Sequence, residues 1–168
     1  YTIPNKDKNV LIALFSGFDN YARMLELTAP INKAYARKWR QDLVVLQGTT
    51  YILPVDKNCT PSGVRTTLNK ITLLLDAIKK RGTYDQLLIL DTDALMYDFN
   101  VDVTTLLPDQ YMLAAHRVKA KTDPVHTHDI NAGVLLWNLK HNLTRKVAHE
   151  WDSRCRRAVE LQRGKGDQ

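Results

Sequence analysis

Three short, uninterrupted apolar runs constrain this chain more than any other feature: VLIALF at residues 10–15, LVVL at 43–46 and LLIL at 87–90. A run of four to six apolar residues without alternation reads as a strand covered on both faces. Between the runs lie stretches with helical character. Residues 19–39 place Tyr21, Leu25, Ala34, Tyr35 and Trp39 for packing, with Pro30 expected to kink or split the segment. Leu68, Ile71, Leu74, Leu75 and Ile78 recur at helical spacing and Gly82 follows as a stop. Residues 112–115 and 134–137 supply two further short strands, and residues 144–162 a closing helix with Val147, Trp151, Cys155 and Ala158 on one stripe. Strand, helix, strand, helix, strand implies an α/β fold with a mainly parallel sheet flanked by helices, because each helix carries the chain back across the sheet.

In such sheets ligands bind beyond the carboxyl ends of the strands. Two of these ends carry polar residues suited to a ligand: Ser16-Gly17 after the first run and Asp91-Thr92-Asp93 after the third. Two carboxylates two residues apart at a strand end can face one side, where they repel unless a cation lies between them. A divalent ion would relieve that repulsion and leave positive charge for a diphosphate, and oxygen ligands suit Mn2+ or Mg2+. The plain alternative is an aspartate turn bonded to its own backbone.

The segment LLILDTDALM resembles the strand and Asp-x-Asp motif of glycosyltransferases with the GT-A fold. FSGFDNY at residues 15–21 is similar to their nucleotide-binding start, and HDINAGVLLWNLKHN at 128–142 to their Asn-x-Gly turn entering a strand. The galactosyl- and xylosyltransferase family 34, which includes the yeast galactosyltransferases and plant xyloglucan xylosyltransferases, is the nearest in pattern, with the glycogenin-like family 8 second. The resemblance implies one GT-A nucleotide-sugar-binding domain over residues 1–168, truncated at its C-terminus. Carried over by position, it puts Ser16, Gly17 and Tyr21 around base and ribose, Thr92 near the ribose, and Asp91 and Asp93 on the metal. It sets Lys70 close to the donor, where an exposed helix lysine is the bland alternative. Asn131 and Gly133 fall in the turn lining the sugar pocket; for Gly133 a close approach or a positive φ would by itself demand glycine. Asp167 and Gln168 match part of the family's acidic-acidic-glutamine motif beside the transferred sugar, with Gly166 where its first acid belongs. The family's later histidine ligand has no counterpart, and His116, His126, His128, His141 and His149 are not expected to replace it.

What the resemblance implies is metal-dependent transfer of a hexose or pentose from a nucleotide-diphosphate sugar, a UDP-sugar being favoured, to a glycan or other hydroxyl acceptor with retention at the anomeric carbon. Two other readings compete: a truncated or inactive module that binds a nucleotide sugar without turnover, and a haloacid dehalogenase-type phosphatase, whose first aspartate after an apolar strand is a nucleophile. A nucleic-acid nucleotidyltransferase would need a glycine-serine approach to its acids, which is absent, so no nucleic-acid partner is expected.

The net charge of +6 would attract any of several anionic partners and chooses none of them. Its densest groups, Lys79-Lys80-Arg81 and the arginines at 154, 156 and 157, read as solvated helix surfaces. No apolar run approaches the ~20 residues of a membrane span, so direct membrane insertion by this chain is not expected. Cys59 and Cys155 could form one disulfide, and Asn58-Cys59-Thr60 and Asn142-Leu143-Thr144 are glycosylation acceptor patterns, though Asn142 could equally cap a helix. With the resemblance, they point to the Golgi lumen, the anchor lying outside this chain.

Overall fold

The computed structural model describes residues 9–16, 19–48, 68–117 and 130–163. Five strands form one sheet: β1 (Val10–Ser16), β2 (Asp42–Gln47), β3 (Gln86–Asp91), β4 (Leu113–Arg117) and β5 (Ile130–Asn138), in the spatial order β2-β1-β3-β5-β4. Among the described residues three helices flank it: α1 (Asp19–Lys38), α2 (Asn69–Lys79) and α3 (Thr144–Arg163). A 3-10 turn at Val103–Leu106 was not foreseen in the sequence.

Two of the apolar runs, those of β1 and β3, become central strands because each of their faces is covered. Val10, Ile12 and Leu14 of β1, with Leu88 and Leu90 of β3 and Leu136 of β5, pack against Leu25, Tyr35 and Ala36 of α1. The intervening residues Leu11, Ala13, Phe15, Leu87, Ile89, Leu135 and Trp137 pack on the other side against Leu74 and Ala77 of α2 and Ala148 of α3. Trp137 and Trp151 stack there with ring centroids 6.4 Å apart. With period two, an unbroken run serves two cores at once.

Three expectations are corrected. The sheet is parallel only across β2-β1-β3; β5 runs antiparallel to both β3 and β4. β4 and β3 run the same way on either side of β5, so the strand inserted between them is antiparallel to both. LVVL is not buried: β2 is an edge strand, with Val44 40% and Val45 44% exposed, because β1 covers only one of its edges. Pro30 does not split α1, which continues from Asp19 to Lys38; an exposed proline there removes one N–H donor without breaking the buried stripe of Leu25, Thr28, Asn32 and Tyr35.

Candidate functional site

Parallel registration aligns the carboxyl ends of β1 and β3. Phe15 is paired with Asp91, which sets Ser16 and the end of β3 at one edge of the sheet. The antiparallel strand brings its opposite end to that same edge, since Leu90 pairs with Val134 and the next residues outward are Asp91 and Gly133. A parallel β5 would have sent Asn131 and Gly133 to the far side of the domain.

The β4–β5 ladder is irregular at this place. Ala115 pairs with Leu135 while His116 pairs with Asn131, so residues 132–134 of β5 bulge out of the ladder. Ala132 has no partner in the register with β4, and Lys70 Nζ donates to its carbonyl at 2.6 Å. Asn131 and Gly133 thus belong to the first residues of β5 rather than to a separate turn. The Asn131 Oδ1 accepts from the Gly133 N–H at 2.7 Å, which closes the bulge locally.

Gly133 does not adopt a positive φ. Glycine is needed for proximity instead: a Cβ there would lie 2.9 Å from Asn131 Oδ1 and 3.2 Å from Asp91 Oδ2.

Lys70 is not an exposed helix lysine. It stands in the first turn of α2, is 5% exposed, and its ammonium lies 2.8 Å from Asp91 Oδ1 and 5.1 Å from the centre of the Phe15 ring. Burying a cation is costly unless it is paired, and here a carboxylate, a carbonyl and an aromatic face share the charge. The contact to Asp91 is oblique, and Oδ1 is buried without an aligned hydrogen bond.

The segment after Asp91 is held from α1. Thr28 donates its hydroxyl to the Thr92 carbonyl at 2.7 Å, and Asn32, fully buried, donates to the Ala94 carbonyl at 3.1 Å and accepts from the Met96 N–H at 2.9 Å. Asn69, the first residue of α2, donates to the Gly48 carbonyl at 2.6 Å and fixes that helix start at the end of β2. Thr28, Asn32, Asn69 and Phe15 were missed in the sequence. A signal existed for two of them, since Thr28 and Asn32 interrupt the apolar stripe of α1 at helical spacing, and a polar residue on a buried stripe needs a partner.

The remaining candidates are placed as follows. Thr92 is buried, and the turn it begins is closed by the Ala94 N–H donating to the Asp91 carbonyl at 2.9 Å. Asp93 is exposed in that turn. Tyr21 stands in the first turn of α1, 51% exposed. Gly17, Asp167 and Gln168 lie outside the described residues, as does Cys59. Cys155 carries a free thiol whose ionisation burial pushes up. Among the described residues no group of three or more histidine, cysteine, aspartate or glutamate side chains gathers to hold a metal. No described helix is long and apolar enough to cross a membrane.

The architecture is shared with solved enzymes. A glycosyltransferase involved in the glycosylation of the major capsid of PBCV-1 is similar over 86% of this chain and 65% of its own, with a TM-score of 0.58 and 14% identity. The WbbM bifunctional glycosyltransferase is similar over 94% of this chain and 34% of its own, with a TM-score of 0.54 and 14% identity. The chain has a glycosyltransferase fold. It spans about two thirds of the first of these proteins and about one third of the second. No family profile matches the sequence, and no curated protein matches it either. The phosphatase alternative calls for an Asp-x-Asp strand that opens the fold, whereas β3 follows β1 and β2 and lies between a parallel and an antiparallel neighbour.

Proposed function

We propose that this chain binds a nucleotide-diphosphate sugar at the carboxyl edge of β1 and β3 and serves in metal-dependent glycosyl transfer. The observation that carries the reading is the convergence of Asp91, Lys70 and the Asn131–Gly133 bulge at one sheet edge in a glycosyltransferase fold. The chemistry of the donor set fits a divalent cation: Asp91 and Asp93 offer hard oxygens, and the buried Asp91 Oδ1 lacks an aligned donor. Asp91 and Asp93 would hold Mn2+ or Mg2+, which when bound stabilises the negative charge of a departing diphosphate.

This chain's residues do the rest. Lys70 supplies a further positive charge beside the carboxylates, and Gly133 keeps the wall beside Asp91 thin enough for a sugar to approach. Tyr21, with its ring half exposed at the start of α1, offers a stacking surface for the base and favours a uridine nucleotide. Transfer to a glycan hydroxyl with retention, the roles of Asp167 and Gln168 beside the sugar, and work in the Golgi lumen complete the reading, on the motifs that resemble family 34.

The deciding experiment is calorimetric titration of UDP with Mn2+ into the protein and into Asp93→Asn. The substitution keeps the shape and removes one charge from an exposed turn, so it should abolish metal-dependent UDP binding with an unchanged circular dichroism spectrum. Asp98→Asn is the control; its carboxylate accepts only a local 2.8 Å bond from the Asn100 N–H, and binding should be kept. Equal affinity in the Asp93 variant and the parent would overturn the reading. Release of UDP from UDP-sugars with Mn2+ would separate a working transferase from a module that only binds.

A further inference from the structure

We infer that Lys70 is an internal counterion that keeps the bare cation out, so that metal and diphosphate enter this site together and not metal first. The inference rests on the metal reading above. Lys70 Nζ lies 2.8 Å from Asp91 Oδ1, donates to the Ala132 carbonyl at 2.6 Å and sits 5.1 Å from the centre of the Phe15 ring. The ammonium is therefore engaged on several sides by protein groups, and with its side chain 6% exposed it is shielded from the water that would screen its charge.

Two consequences follow from that arrangement. Asp91 is already neutralised when no metal is present, so the repulsion between it and Asp93 is relieved from within the protein. An incoming divalent cation then gains only what the Lys70 pairing does not already provide, and it meets a fixed positive charge across one carboxylate. Within a few ångströms and at an effective protein dielectric, that repulsion lowers bare-metal affinity by roughly tenfold or more. A diphosphate reverses the balance. Its negative charge would attract both cations, which would make the lysine an asset to the metal instead of a competitor. Binding of metal and diphosphate is thus positively coupled, and by reciprocity each raises the affinity of the other by the same factor. Lys70 acts here through Asp91 and is a positioning residue.

A purely structural lysine would behave differently, since removing it could only loosen the site. Lys70→Met removes the charge but keeps an unbranched side chain, and Lys70→Gln keeps an amide donor for the Ala132 carbonyl; circular dichroism and melting identify which variants fold. Mn2+ alone, UDP alone and the two together are titrated by calorimetry. In the parent, Mn2+ should bind at least about tenfold more tightly with saturating UDP than without it. In either folded variant, Mn2+ alone should bind about tenfold more tightly than to the parent, while UDP with Mn2+ binds more weakly. The inference is overturned if the parent takes bare Mn2+ as tightly as it does with UDP, a measurement that needs no variant. Equally, it falls if a folded variant binds bare Mn2+ no more tightly than the parent. Should the parent bind UDP with Mn2+ while these differences are missing, the donor-site reading survives and only the counterion role is lost. Absence of any UDP binding with Mn2+ in the parent would remove both.

Discussion

Gly133 shows how one missing methyl group can set the shape of a site. Its neighbour Asn131 turns back to accept from the Gly133 N–H, and the nearest Asp91 oxygen would be only 3.2 Å from a Cβ. In Gly133→Ala the Asn131 carboxamide must move and Asp91 must tilt against Lys70. Overpacking of this kind costs about 1–3 kcal/mol. We expect a lowered melting temperature together with at least tenfold weaker UDP binding in the presence of Mn2+, about 1.4 kcal/mol or more. A variant that melts lower but binds as the parent does would show that Gly133 serves stability alone. At this scale the sequence was informative about residue types and silent about contacts. Asp91, Lys70 and Gly133 could be singled out from motifs, yet that Lys70 is buried against Asp91 and Phe15 depends on how α2 docks, which no local pattern states.

Among the elements, α1 joins the core to the turn after Asp91. Its buried stripe supplies Leu25, Tyr35 and Ala36 to the apolar core, and between them Thr28 and Asn32 hold the backbone after Asp91. Asn32→Ala leaves the Ala94 carbonyl and the Met96 N–H without their partner in a half-buried place, a loss of about 2 kcal/mol or more. Urea unfolding should show that loss, and UDP binding with Mn2+ should weaken beyond it, because the turn carrying Asp93 keeps its bond from Thr28 but the backbone just after it loses both from Asn32. If binding is untouched in a destabilised Asn32 variant, the clamp has no part in positioning the carboxylates. The elements themselves were largely legible: β1, β3 and α2 follow from apolar runs and helical spacing. The direction of β5 was not, since antiparallel pairing leaves no mark on the strand's own residues. Nor was the exposure of β2, because an edge and a centre can share one apolar composition.

For the molecule as a whole, Tyr35 ties α1 to the chain that follows the site. Its fully buried ring packs edge-on to Phe99 with centroids 5.7 Å apart, its hydroxyl donates to the Val101 carbonyl at 2.8 Å, and it accepts from the Val103 N–H at 2.9 Å. Burial, with the nearby Asp102 charge adding to it, pushes the Tyr35 hydroxyl up to about 12 from 10.0. The protonated form is thus the one the fold stabilises. Its contribution is complete below pH 10 and is lost as pH rises from there through 12. Tyr35→Phe should cost about 1–3 kcal/mol near neutrality, through the two unmet backbone groups. The gap between parent and variant in urea midpoint should then shrink above pH 10. A gap that stays constant to pH 12 would sink this account.

The placement of β5 between β3 and β4 also has a consequence for how the molecule comes into being. When the chain is made from its N-terminus, β1, β2, β3 and β4 all precede the strand that must separate β3 from β4. Until residues 130–138 arrive, one edge of β3 stands open, and Asp91 has neither the bulge carbonyl that anchors Lys70 nor the wall at Gly133. The proposed donor site is therefore completed only once β5 has been made, and a nascent chain short of β5 lacks the Gly133 wall and the Ala132 carbonyl of that proposed site.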